Sequence, residues 1–167
     1  MPIPLMRYFP AASLREVAAP VRDITAALTQ QLILSMAKIM VAANGVGLAA
    51  PQVGESQRII LVRLDAGILA LINPVLRKFS RQRVDGEEGC LSVPGVFGLV
   101  SRSVRVTVDA IAANGDMVSL TLEGFFARVV QHEVDHLNGI LFIDRMRKIT
   151  SGADRLRKLW QVLPSQP

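Results

Sequence analysis

The chain holds two histidines and one cysteine. Both histidines fall in one stretch, Gln131-His132-Glu133-Val134-Asp135-His136. In the run from Gly124 to Leu137, Phe125, Phe126, Val129 and Val130 recur at i, i+1, i+4 and i+5, which is one face of a helix. On that helix His132 and His136 leave the same side one turn apart, the geometry two ligands need to hold one metal ion. Glu133 projects about 100° around the axis. From there it reaches a water on the metal without ligating the metal itself. A lone His-x-x-x-His pair is no evidence for a metal. Glu directly after the first His, inside an apolar helix, tips the reading to a metal site.

Two imidazoles need a third ligand. A thermolysin-like site would take a downstream Glu, but no Glu follows Glu133. A metzincin would place a third His where Phe142 stands, after Gly139. Both metallopeptidase readings fail on ligands. The remaining soft ligand is Cys90, although a single cysteine taken alone reads as a small buried hydrophobe. With no further His or Cys, a Cys90, His132, His136 set leaves a fourth position open, as catalytic rather than structural zinc sites do.

These residues need a fold to bring them together. A chain of 167 residues is one domain by size, spanning residues 1–167, and half its residues are apolar. One cysteine excludes an internal disulfide framework and fits a reducing compartment. The start, Met1-Pro2-Ile3-Pro4-Leu5-Met6, does not read as a signal peptide. No membrane span is expected, because the apolar stretch Leu32 to Ala50 is half amphipathic helix and half glycine-broken. The net charge of +5 is spread along the chain, so a dedicated nucleic-acid reader is not indicated.

Residues 1–22 read as an extended arm with one helical turn near Leu14. A first long helix runs from Ile24 to the Asn44-Gly45 stop. Arg58–Leu64 and Ile68–Ile72 form a hairpin; Asn73-Pro74 breaks, and Val75–Phe79 is a further strand. Glu87–Gly95 is a short edge strand or rigid loop. Val104–Ala110 and Val118–Leu122 pair across Asn114-Gly115. Leu156, Leu159, Trp160 and Leu163 mark a last amphipathic helix whose other positions include Arg155, Arg157 and Lys158. The fold class is α+β, with antiparallel strands and helices in one layer pair and the histidine helix central.

Three segments share this frame: Gly45-Val46-Gly47-Leu48-Ala49-Ala50-Pro51-Gln52, Glu88-Gly89-Cys90-Leu91-Ser92, and Gln131 to Leu137. Their order and approximate spacing, with the flanks Leu71-Ile72-Asn73-Pro74 and Leu141-Phe142-Ile143-Asp144-Arg145, resemble the signature motifs of peptide deformylases over nearly the whole chain. The resemblance implies a mixed α+β fold and a metallohydrolase that removes formyl from N-formyl-methionyl polypeptides. It implies metal ligation by Cys90, His132 and His136, with Glu133 as proton carrier. The Gln52 amide and the Leu91 backbone N–H would hold the developing oxyanion. Gly45, Val46, Gly47 and Gly89 would bind substrate backbone as an added strand. Val46 and Val129 would line the methionine pocket.

One divalent ion is expected, Fe(II) in the cell, with Zn(II), Ni(II) and Co(II) also suited to these donors. A cytoplasmic monomer is expected, with ribosome contact through the basic C-terminal helix. Arg128 departs from the aliphatic residues the resemblance leads one to expect beside the metal helix, and is expected to face solvent. The rival within the same fold, a non-enzymatic ribosome-associated member, would lack Gln52, Glu133 or Cys90; all three are present.

Overall fold

The structure is a computed structural model and describes residues 4–161. Helix α1 (Ala27–Ala42) is followed by strand β1 (Gly47–Ala49) and a short 3-10 turn, Ala50–Val53. Strands β2 (Ile59–Leu64), β3 (Gly67–Arg77), β4 (Arg83–Cys90), β5 (Val93–Ser103), β6 (Arg105–Ala112) and β7 (Met117–Glu123) come next. Helix α2 (Gly124–Leu137), a single turn α3 (Phe142–Arg145), strand β8 (Lys148–Ser151) and helix α4 (Ala153–Gln161) complete the order. Leu163, expected in the last apolar stripe, lies outside the described residues.

All pairings between these strands are antiparallel, in a five-stranded sheet of order β1-β2-β3-β6-β7 and a three-stranded sheet of order β4-β5-β8. The run Ile59-Ile60-Leu61-Val62 is buried throughout. Such an unbroken apolar run marks a strand covered on both faces. Ile60 and Val62 join Val130, Val134 and Leu137 of α2, whereas Ile59 and Leu61 join Met36 and Met40 of α1. The five-stranded sheet is therefore flanked by a helix on each face, three layers where the apolar pattern suggested two. A third core cluster, including Phe9, Val96, Val100, Phe142 and Leu156, sits against the smaller sheet. Helix α2 packs against strands of both sheets.

Two boundaries differ from expectation. Asn73-Pro74 does not end a strand: β3 runs through it with a register shift between Ile72 and Val75. The irregularity is held from outside, because the Asn73 side chain accepts from Val21 N–H (2.8 Å) and donates to Val21 C=O (2.9 Å). The short edge element expected at 87–95 is the tip of a long β4–β5 hairpin, turning at Leu91-Ser92. Gly89 lies on the edge strand β4, and Pro94 lies in the stretch of β5 between Val93 and Phe97 that a register shift leaves without a β4 partner, so neither shortens it. Helix α2 ends at Asn138 with Gly139 at φ 71°. A Cβ at 139 would lie 2.4 Å from the Arg15 carbonyl oxygen, so only glycine fits.

Candidate functional site

Helix α2 presents His132, Glu133 and His136 to the tip of the β4–β5 hairpin, which carries Cys90. The ligand atoms of Cys90, His132 and His136 lie within 4.8 Å of one another. Cys90 Sγ is 3.3 Å from His136 Nε2. His132 Nδ1 is 2.9 Å from Glu88 Oε2, which leaves its Nε2 for ligation. A carboxylate on the far nitrogen of a ligating histidine fixes the ring and raises its basicity. The three residues therefore fit one metal ion: soft and borderline donors from three sides, two of them on a rigid helix.

Glu133 lies beside them, buried, and its Oε2 has no hydrogen-bond partner among the described residues. Burial is the main cause that pushes its pKa up, to about 7; the His132 charge opposes the rise and the Glu88 charge adds to it. A carboxyl poised there suits general acid–base work at neutral pH. Burial opposes a charged His132, yet its hydrogen-bonding environment, Cys90 and Glu88 foremost, holds its pKa well above the ordinary value. Burial, reinforced by the His132 and Arg102 charges, pushes His136 well below its own.

Gln52 comes from the 3-10 turn after β1. Its Oε1 accepts from Ala49 N–H at 2.8 Å, which aims the amide group at Ser92 Oγ (3.2 Å) and Cys90 Sγ (3.4 Å). The sequence placed Gln52 and Cys90 in separate motifs; the fold brings them into contact. Leu91 lies at the hairpin turn next to Cys90.

A cavity of about 390 Å³ opens over this centre. It is lined by Gly45, Val46, Gly47, Gly89, Leu91 and Val129, among others, so every expected substrate-side residue reaches it. Val129 is buried and Val46 is half exposed at the rim. The glycines also answer to the protein itself. A Cβ at Gly47 would lie 2.3 Å from Glu133 Oε1, and one at Gly89 would lie 2.5 Å from the Phe97 ring. Phe97 and Phe125 are exposed aromatics on the cavity lining; Phe97 was not singled out from sequence, and Phe125 was read only as part of the apolar helix face.

Arg128 does not face solvent. Its side chain is 13% exposed and turns inward to Glu88 and to main-chain carbonyls of β4 and β5. Four acceptors hold the guanidinium, the Glu88 carboxylate and the Val100 carbonyl belonging to buried residues. Behind the histidines, Glu88 also takes two bonds from Arg102 (2.9 and 3.0 Å). Arg102 reaches Asp135, which in turn binds Arg145. Burial opposes ionisation of Glu88, but hydrogen bonds and charges of His132 and Arg102 prevail and hold its pKa at about 2. Glu88 and Asp135 stand inside the motifs at 88–92 and 131–137; the signal that could have found them is a carboxylate next to a ligand.

A family model described as polypeptide deformylase matches residues 4–151. The peptide deformylase of Halothermothrix orenii is 48% identical over 151 residues, covering 89% of this chain and 97% of that protein. The structure of the peptide deformylase from Thermotoga maritima superposes with a TM-score of 0.84 at 41% identity, over 87% of this chain and 99% of that one. A Met-Ala-Ser-bound class I type b peptide deformylase from Acinetobacter baumannii gives a TM-score of 0.80 at 41% identity, over 84% and 97%.

Proposed function

This chain belongs to the polypeptide deformylase family, and on that premise we infer how its own residues carry the reaction. It is a hydrolase that removes the N-formyl group from the formyl-methionine of nascent polypeptides and releases formate. The family is metal-dependent, and Cys90, His132 and His136 are the ligands we propose. When bound, the ion supplies Lewis acidity and a nucleophilic water at neutral pH.

Glu133 takes the proton of the attacking water and delivers it to the leaving amine, a role its raised pKa suits. The Gln52 amide, locked from behind by Ala49, and the Leu91 N–H face the formyl oxygen as charge builds on it. Among the described residues strand β1 has a strand partner on one side only, β2, and Gly45, Val46 and Gly47 line the cavity, which supports a substrate backbone added there as a further strand. Val46 and Val129 offer apolar contact to the methionine side chain.

The single observation that carries this reading is the convergence of three ligand atoms within 4.8 Å beside a buried carboxylate whose Oε2 has no hydrogen-bond partner among the described residues. Formate release from formyl-Met-Ala-Ser, with protein loaded anaerobically with Fe(II), Ni(II) or Zn(II), tests it. Fe(II) is proposed for the cell and should support turnover; no formate with any of the three metals would overturn the assignment. Cys90→Ala should lose the metal, from about one equivalent by elemental analysis.

We propose action on the nascent chain in the cytoplasm as a monomer; no described helix is long and apolar enough to cross a membrane. Helix α4 buries Leu156 in the core and leaves Arg157 and Lys158 exposed. That basic face fits the phosphates of ribosomal RNA. Arg157→Glu with Lys158→Glu should reduce co-sedimentation with ribosomes, most clearly at low salt; equal binding would remove α4 as the contact.

A further inference from the structure

Arg128 sits one turn before His132 on α2 and also lines the cavity. Its Nη1 donates to Glu88 Oε1 (2.8 Å), Val100 C=O (2.8 Å) and, at longer range, Gly86 C=O (3.4 Å). Its Nη2 donates to Val84 C=O (2.8 Å). Three of these acceptors are main-chain carbonyls of β4 and β5, the cavity-wall hairpin. The fourth is the carboxylate whose other oxygen holds His132 Nδ1.

Arg128 gives Glu88 a second guanidinium partner. The first, Arg102, is shared with Asp135. Arg128 has no other carboxylate among the described residues, so its charge serves Glu88 alone. A planar guanidinium can bridge a carboxylate and several carbonyls at once; an ammonium cannot. The opposing residue is shaped to admit it. A Cβ at Gly86 would lie 2.7 Å from the Arg128 guanidinium carbon, and that group is pinned and cannot swing aside without losing its acceptors.

Resting on the metal-site reading above, we propose that Arg128 is a positioning residue that ties the cavity wall to the metal ligand. It sets the spacing of the β4–β5 hairpin from α2 and, through Glu88, orients the His132 ring. The seating of the substrate side chain and the ligand geometry are therefore set by one side chain, with Gly86 as its required counterpart.

The test uses the full chain loaded with Co(II), whose visible absorption reports coordination geometry. Arg128→Met should weaken Co(II) binding by about tenfold or more, the usual effect of losing a group that orients a ligand. It should shift the cobalt bands and raise kcat/KM for formyl-Phe-Ala-Ser relative to formyl-Met-Ala-Ser. Arg128→Lys should recover Co(II) affinity through its pair with Glu88 but not the side-chain preference, because the carbonyl bonds stay broken. Gly86→Ala should mimic Arg128→Met in the wild-type background and add nothing in the Arg128→Met background.

Unchanged cobalt bands, affinity and side-chain preference in Arg128→Met would overturn the proposal. Should that variant fail to fold, Gly86→Ala and Arg128→Lys decide, and wild-type values in both would overturn it equally. Wild type that takes up no Co(II) would overturn the metal site along with it, whereas wild type that binds Co(II) just as Arg128→Met does overturns this inference alone.

Discussion

Helix α2 has two buried polar faces, and they are built on opposite rules. On the cavity side, Glu133 Oε2 is buried without a hydrogen-bond partner among the described residues. On the other side, Asp135 takes bonds from Arg102 and Arg145, and Gln131 bonds Ser103 N–H and C=O and Ala127 C=O. Buried polar atoms are normally satisfied, and each exception calls for a reason. The saturated face anchors α2 to β5 and the chain after it. The cavity side keeps that carboxyl available for chemistry beside the ligand nitrogens. Glu88 joins the two, bound to Arg102 on one side and His132 on the other.

If this division is right, neighbouring substitutions on α2 must fail in different ways. Glu133→Gln should lower kcat by about 10²- to 10⁴-fold, the usual worth of a general acid–base. It should keep about one equivalent of metal. Above pH 7 its metal-free form should be no less stable than wild type, since burial disfavours the Glu133 charge there. A loss of stability matching the loss of rate would erase the distinction.

Asp135→Ala should do the reverse. It leaves Arg102, 5% exposed, without one of its two carboxylates and Arg145 without its partner. Breaking a buried pair by removing one partner costs about 3–5 kcal/mol. Urea unfolding should show this loss, while the folded fraction still binds metal and turns over. Severe loss of kcat with normal stability would move Asp135 to the catalytic side.

Gln52→Ala sharpens the cavity side. Loss of one oxyanion donor typically costs about 3 kcal/mol in the barrier. The fall should appear in kcat with little change in KM; a pure KM effect would make Gln52 a substrate-binding residue instead.

The smallest effect concerns the joint between the faces. Glu88 has a folded pKa of about 2 against an ordinary 4.5. A depressed carboxylate contributes stability above its unfolded pKa and loses it as pH falls toward the folded value. The urea midpoint of metal-free protein should therefore decline between pH 4.5 and about 2. Glu88→Gln should flatten that decline. An unchanged slope would show that Glu88 carries no net charge stabilisation.

The relation among His132, Glu133 and His136 was legible in the sequence because helical geometry is local: residue spacing alone sets which side chains share a face. The resemblance then carried Gln52, Cys90 and Leu91 into the site, and the structure brings Gln52 and Cys90 together and sets Leu91 beside them. Strand boundaries were less legible where a bulge or an edge position tolerates residues that read as breakers, as at Asn73-Pro74 and in β4. Arg128 was misjudged, since a charged residue at a helix position says nothing about buried acceptors on another element.

What the sequence determined by itself is the local stereochemistry of a two-histidine helix with an adjacent proton carrier. Only the tertiary structure decided that Cys90, 46 residues from His136, meets it. It also decided that Glu88, Arg102, Arg128 and Asp135 form one ionic network behind the ligands. The physical reason is range. Dihedral preferences and helical periodicity act over one or two turns, whereas ion pairs between elements depend on how the β4–β5 hairpin packs on α2, which no spacing along the chain encodes.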